Sequence, residues 1–309
     1  MLADVIPLTS LNLVGTSLPQ IISGGTLRLT PNYDTDPSSA VSPAGAAWTK
    51  TEYNVAAPFA VNFQFQMSDP CIGDGLNGHC ISDANGHGGD GIAFLIQNSS
   101  AGDAAIGEGA GGMGFLGITD SVAVMLDTYQ NNGPNRYGDP SDNYISVNTR
   151  GTAANVPHHF CTNVNGTLEL TADPSVPTDL PGVPCTVNPT LGMTGYGGVN
   201  PLPVDIDSGV HDIEIIYSGS GLGEQMLYIY LDSNLVLEVP LDLASTLDLQ
   251  GGDDAFLGFT AGTRNSYQNQ DILSFSETPV PEPIWGQLWV PLAMLLAVAL
   301  GRKWQRARP

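Results

Sequence analysis

Apolar and polar residues alternate with a period of two over several segments, most clearly Phe59-Ala-Val-Asn-Phe-Gln-Phe-Gln-Met67 and His211-Asp-Ile-Glu-Ile-Ile-Tyr217. Successive side chains of a strand point to opposite faces, so this pattern predicts strands with one buried and one wetter face. Met226-Leu-Tyr-Ile-Tyr-Leu231 and Leu235-Val-Leu-Glu-Val239 flank Asp232-Ser233-Asn234, which predicts a hairpin. Strand-forming runs at 26–30, 91–96, 121–127, 256–261 and 272–276 bring the expectation to about ten strands, with almost no helical periodicity. Two stacked antiparallel sheets follow as the expected architecture.

Composition agrees with that reading. Among 309 residues there are 37 Gly and 23 Pro, and only 13% are charged, which suits short strands joined by turns better than solvated helices. The length allows one large sandwich. No fixed-period repeat and no linker before about residue 277 are evident, so the expected organisation is one all-β domain over 1–277, interrupted by insertions at about 70–88 and 151–203. A separate tail occupies 278–309.

The formal charge of −22 is uneven, because Arg302, Lys303, Arg306 and Arg308 supply four of the nine basic residues and every acidic residue precedes Ile284. Such an acidic body repels nucleic acid, whose binding needs Lys and Arg on phosphates. Neutral sugars and cations remain as partners, although acidity alone also suits any soluble extracellular surface. Cys71, Cys80, Cys161 and Cys185 lie in loop-like stretches and are disulfide candidates with three possible connectivities, local pairing (71 with 80, 161 with 185) being the simplest. His79, His87, His158 and His159 nearby keep a metal reading of the cysteines open. Oxidised cysteines would place the protein outside the cytoplasm.

Residues 284–301 form a run without a charge, preceded by Pro281-Glu282-Pro283 and followed by Arg302-Lys303-Trp304-Gln305-Arg306. This predicts a short membrane helix with its basic end inside. The three-part arrangement resembles the PEP-CTERM sorting tail of Gram-negative bacteria. That resemblance implies transient anchoring in the inner membrane, cleavage near Pro283 by a sorting protease of the exosortase type, and delivery to the cell surface, outer membrane or extracellular matrix. The first residues, Met1-Leu-Ala-Asp-Val-Ile, show no basic segment followed by an apolar stretch, so no matching export signal is legible there.

The most informative stretch is Ser121-Val-Ala-Val-Met-Leu-Asp-Thr-Tyr-Gln-Asn131, followed by Asp139-Pro140. An apolar strand ends by presenting Asp127, and a loop then offers Asn131 and Asp139. Calcium takes six to eight oxygen ligands, so carboxylates, an amide and a backbone carbonyl on one loop meet much of that demand. Taken alone, the same residues also read as ordinary turn formers.

Val122-Ala-Val-Met-Leu-Asp-Thr-Tyr-Gln-Asn131 resembles the metal-binding segment of legume and other L-type lectins, where the run is Val-Ala-Val-Glu-Phe/Leu-Asp-Thr-aromatic-x-Asn. Gly89-Asp90-Gly91-Ile92-Ala93-Phe94, Gly114-Phe115-Leu116-Gly117, Leu257-Gly-Phe-Thr-Ala261 and Asp271-Ile-Leu-Ser-Phe275 follow the family's order. The resemblance spans about residues 10 to 277 apart from the cysteine-bearing insertions. It implies a concanavalin-like jelly-roll sandwich that binds Ca2+ through Asp127, Asp139, the Asn131 amide oxygen and the Tyr129 backbone carbonyl. It further implies a glycan site in which Asp90 accepts from sugar hydroxyls, Asn131 and the Gly114 N–H donate, and the Tyr129 ring meets the sugar's C–H surface. The family's peptide bond before the Asp90 counterpart is cis, and Gly89 is a small residue that fits there.

Two departures bear on function. The family's transition-metal site uses a glutamate and a histidine where this chain has Met125 and Tyr144, so a calcium-only site is expected. The loop that tunes sugar choice, about 262–270, is short and contains Arg264, Asn265, Tyr267 and Gln268, which name no particular sugar. A glycoside hydrolase on the same sandwich needs paired carboxylates, whereas Met125-Leu126-Asp127 supplies one. No Ser/His/Asp order or dinucleotide fingerprint is convincing, and the glycines of 107–114 lack the helix a phosphate cradle requires. A sugar-binding protein without enzymatic activity is therefore expected, with an adhesive matrix protein lacking sugar recognition as the other rival.

Overall fold

A computed structural model of the chain describes residues 4–17, 19–33, 42–70, 88–131, 139, 141–157, 198–199, 202–219, 225–249 and 252–279. The four cysteines, Pro140, the sorting motif Pro281-Glu282-Pro283 and the apolar run 284–301 lie outside these residues. Among the described residues no helix is long and apolar enough to cross a membrane.

In chain order the strands begin with β1 (Asp4–Val5), β2 (Asn12–Gly15), β3 (Gln20–Ile21), β4 (Leu27–Thr30), β5 (Ala44–Trp48) and β6 (Tyr53–Asn54). They continue with β7 (Phe59–Ser68), β8 (Gly91–Gln97), β9 (Ser121–Asp127), β10 (Tyr144–Thr149) and β11 (Gly198–Val199). The last five are β12 (Val210–Tyr217), β13 (Met226–Leu231), β14 (Asn234–Pro240), β15 (Asp254–Gly262) and β16 (Asn269–Pro279). One sheet runs β14-β13-β12-β7-β16-β4-β3 with β1 beside β16, and the other runs β11-β10-β9-β8-β15-β5-β2 with β6 beside β15. All pairings are antiparallel.

The first sheet keeps the expected alternation. Along the second half of β7, Phe63, Phe65 and Met67 are buried while Asn62, Gln64 and Gln66 are part-exposed, and β12 and β13 alternate in the same way. The inward rings meet those of the second sheet. Phe259 stands edge-on to Phe63 at 5.0 Å and to Phe275 at 4.9 Å between ring centroids, a geometry favoured by the ring quadrupoles. Residues Asp232 and Ser233 both take left-handed backbone angles, which makes the β13–β14 connection the tight two-residue turn suited to twisted strands.

The second sheet departs from alternation, since β8 and β9 are buried at every position. Val122, Val124 and Leu126 face the core between the sheets. Ala123 and Met125 point the other way, into a smaller cluster with Trp48, Met113, Phe115 and Tyr144. That cluster is roofed by the segment 105–118, tied down by the Trp48 indole N–H donating to the Ala105 carbonyl at 2.7 Å. The functional residues lie at this covered end of the outer face.

Candidate functional site

Strand β9 ends on Asp127, directly opposite Tyr144 of β10 and Gly91 of β8 in the ladder. The chain then leaves the sheet at the end of this interior strand. The Tyr129 N–H donates to Asp127 Oδ1 at 2.9 Å, and the Asn131 N–H donates to Asp139 Oδ2 at 2.6 Å. The Gln130 amide donates to the Asp139 carbonyl at 3.2 Å. These bonds fold the loop so that the two carboxylates converge, and the Tyr144 hydroxyl sits between them, 3.1 Å from Asp127 Oδ2 and 2.9 Å from Asp139 Oδ1.

Asp90 joins this network from the neighbouring strand. Its N–H donates to the Gly262 carbonyl, its own carbonyl accepts from the Thr128 N–H, and its Oδ1 accepts from Asn131 Nδ2 at 3.1 Å. The Gly89–Asp90 peptide bond is cis. A side chain at Gly89 would collide with Tyr129, its Cβ lying 2.6 Å from the Tyr129 Cβ, so glycine is what lets the two loops touch. Asp90, Asp127, Asn131 and Asp139 are all buried, at 2–4% exposure, and Tyr129 is half-buried.

Burial disfavours charge on these acids. Desolvation pushes Asp127 well above the ordinary carboxylate range and the charge of Asp139 adds to it. Burial likewise pushes Asp139 up to about 7, against the lowering effect of the bonds from Asn131 and Tyr144. Burial, and then the two carboxylates, raise the Tyr144 phenol well above its usual value, so it keeps its proton and donates.

The donor set suits a hard cation. Asp127, Asp139, the Asn131 Oδ1 and the Tyr129 carbonyl are all oxygens, and since Asn131 Nδ2 is spent as a donor to Asp90 and to the Tyr129 carbonyl, Oδ1 is the amide atom able to ligate. Among the described residues no group of three His, Cys, Asp or Glu is arranged to hold a metal. The set relies on an amide and a carbonyl beside two carboxylates. Met125 belongs to the small cluster, where its sulfur lies 3.8 Å from Asn148 Nδ2.

Gly114 is placed at the same end but not with the expected donor. Its N–H bonds the Glu108 carbonyl at 2.8 Å, so that hydrogen is already committed to the fold of the 107–114 turn. The residue takes φ +73°, and a Cβ there would meet the Ala261 carbonyl oxygen at 2.8 Å. Gly114 therefore serves close packing against β15. The 262–270 loop also differs from expectation: Tyr267 and Gln268 face inward, leaving Arg264 and Asn265 as its exposed residues. Gln268 donates to the Thr128 hydroxyl at 2.8 Å, and Gln270 donates to the Gly89 and Gly262 carbonyls at 3.1 Å each. Sequence reasoning missed these two amides as supports; the signal was a pair of glutamines two apart, one just before and one just inside β16.

A two-sheet sandwich that gathers Asp127, Asn131 and Asp139 beside Asp90 at one end of a sheet is the arrangement expected of an L-type lectin. The sequence matches the legume lectin domain over residues 9–283, and the chain belongs to that family. Its fold is that of the metal-free lectin I-B4 from Griffonia simplicifolia, with a TM-score of 0.54 at 16% identity over 90% of this chain and 99% of that one. A Bauhinia forficata lectin in complex with GalNAc gives 0.53 at 16% identity over 91% and 99%. The exoplasmic/lumenal domain of VIP36 in its Ca2+/Man3GlcNAc-bound form gives 0.50 at 16% identity over 90% and 89%. The concanavalin-like sandwich is thus the observed fold.

Proposed function

We propose that this protein is a calcium-dependent glycan-binding protein. The observation that carries the reading is the double role of Asn131, whose backbone N–H holds Asp139 while its side chain holds Asp90. One residue thereby joins the cation loop to the sugar carboxylate. Asp127, Asp139, Asn131 Oδ1 and the Tyr129 carbonyl would hold the calcium, whose charge fixes the loop and with it the donor direction of Asn131 Nδ2. Asp90, as an ionised carboxylate, accepts from sugar hydroxyls, Asn131 Nδ2 donates the hydrogen it releases from the Tyr129 carbonyl when that carbonyl ligates calcium, and the half-buried Tyr129 ring covers apolar C–H surface. Relatives of the same fold described with Ca2+ and Man3GlcNAc and with GalNAc support a glycan ligand.

Binding is favoured over hydrolysis by the outward face of β9, which carries Ala123, Met125 and Asp127 and so a single carboxylate where a hydrolase would need a pair. A glycan array tests the reading. Signal is expected with calcium, none after EDTA treatment, and recovery on calcium addition; binding that survives thorough metal removal overturns the calcium dependence, and a blank array under both conditions favours an adhesive protein without sugar recognition.

We also propose that residues 1–277 form the lectin domain and that the tail from 278 acts as an exosortase-processed surface-sorting signal, with disulfides among Cys71, Cys80, Cys161 and Cys185. The support is the order of Pro281-Glu282-Pro283, the uncharged run 284–301 and the basic cluster. Expressed in an exosortase-bearing host, the chain should appear at the surface with a mass that ends near Pro283. An intact chain retained in the inner membrane would count against it.

A further inference from the structure

The Tyr144 hydroxyl lies at the centre of the acidic site, yet the calcium reading gives it no role. Its position is set by a rigid element, since Tyr144 is the first residue of β10 and pairs directly with Asp127 across the ladder. The side chain is fully buried, and its oxygen contacts one oxygen of each carboxylate. The other oxygen of each carboxylate is held by a loop amide, Asp127 Oδ1 by the Tyr129 N–H and Asp139 Oδ2 by the Asn131 N–H.

Each carboxylate is therefore gripped at both oxygens, once by the loop backbone and once by the sheet through a single phenol. Two like charges in a buried site repel each other, and a contact from the sheet adds to the loop's own bonds in fixing the separation of Asp139 from Asp127. The neutral hydroxyl between them gives its one proton to one carboxylate at a time and stands in contact with the other, so the two facing oxygens are kept on either side of a single fixed atom. It also adds no positive charge to compete with a cation.

Building on the calcium assignment above, we propose that Tyr144 is the positioning residue of the cation site: its hydroxyl bridges Asp127 and Asp139, anchors the ligand loop to β10, and presets the carboxylates for a single divalent ion. A phenylalanine at this place would keep the ring in the small cluster with Trp48 and Phe115 and remove only the bridge.

The test is calorimetric titration of the calcium-free full chain with calcium chloride, native against Tyr144→Phe. Loss of a hydrogen-bonding partner behind a metal ligand lowers affinity by about 10- to 100-fold, and that loss is expected here with little change in melting temperature of the calcium-free protein. Equal calcium affinity in the two chains overturns the proposal and leaves the calcium reading standing. No calcium binding by the native chain overturns both. A second measurement needs no Tyr144 variant: in a Tyr129→Phe chain, calcium should still perturb the tyrosine ultraviolet spectrum, through Tyr144. Calcium binding without any such perturbation rejects the role.

Discussion

Replacing Asp90 with alanine is expected to weaken glycan binding by about 100-fold or more, since two charge-assisted hydrogen bonds to sugar hydroxyls contribute roughly 3 kcal/mol or more together and each 1.4 kcal/mol is tenfold. Calcium affinity and melting temperature should change little. Asp90 is outside the proposed cation ligands and meets them through the Asn131 Nδ2 bond to its Oδ1, so the two activities are expected to separate at this residue. Parallel calorimetry with calcium and surface-binding measurements on an array-selected glycan check this. A variant that keeps its glycan signal moves sugar recognition away from Asp90 altogether.

The second large effect is expected at Asp139→Asn, which should reduce calcium affinity by about 100-fold or more by removing one of only two carboxylates from the ligand set. Glycan binding should fall with it, because Asn131 loses the cation that orders its loop. The fold should persist. The new amide can still accept from the Asn131 N–H through its oxygen while its nitrogen donates to Tyr144, whose own proton then goes to Asp127. Thermal melting in the presence of EDTA, alongside calcium titration, separates these effects; collapse of the calcium-free fold would show that Asp139 is mainly structural.

Much of this arrangement is legible in the residues themselves. The alternation in β7, β12 and β13 reports a sheet with one wet face, and the 121–131 run reports a strand that ends on a buried carboxylate. Strand β5, Ala-Gly-Ala-Ala-Trp, escapes a propensity reading because its small residues are there for proximity: a Cβ at Gly45 would lie 2.2 Å from the Leu29 carbonyl oxygen. Strand β10 was missed for a related reason, as Tyr-Ile-Ser-Val-Asn-Thr is buried at every position but its last and shows no alternation. The residues alone allow Gly114 to be packing or donor; its hydrogen bond to the Glu108 carbonyl depends on the fold of the 107–114 turn, which local patterning does not report. Tyr144 was visible as an unsuitable metal ligand, but its bridging position depends on strand register, which local patterning does not report.

The separation of the two hydrophobic clusters has a consequence for how the protein opens. The inter-sheet core holds the sandwich, whereas the 105–118 cover rests on the smaller cluster around Trp48, Met113 and Phe115. Units with their own packing can detach without global unfolding. The cover is therefore expected to exchange its amide hydrogens as a cooperative block while the strands beneath stay protected, so that substitutions in that block change local opening at a cost largely insulated from the stability of the sandwich.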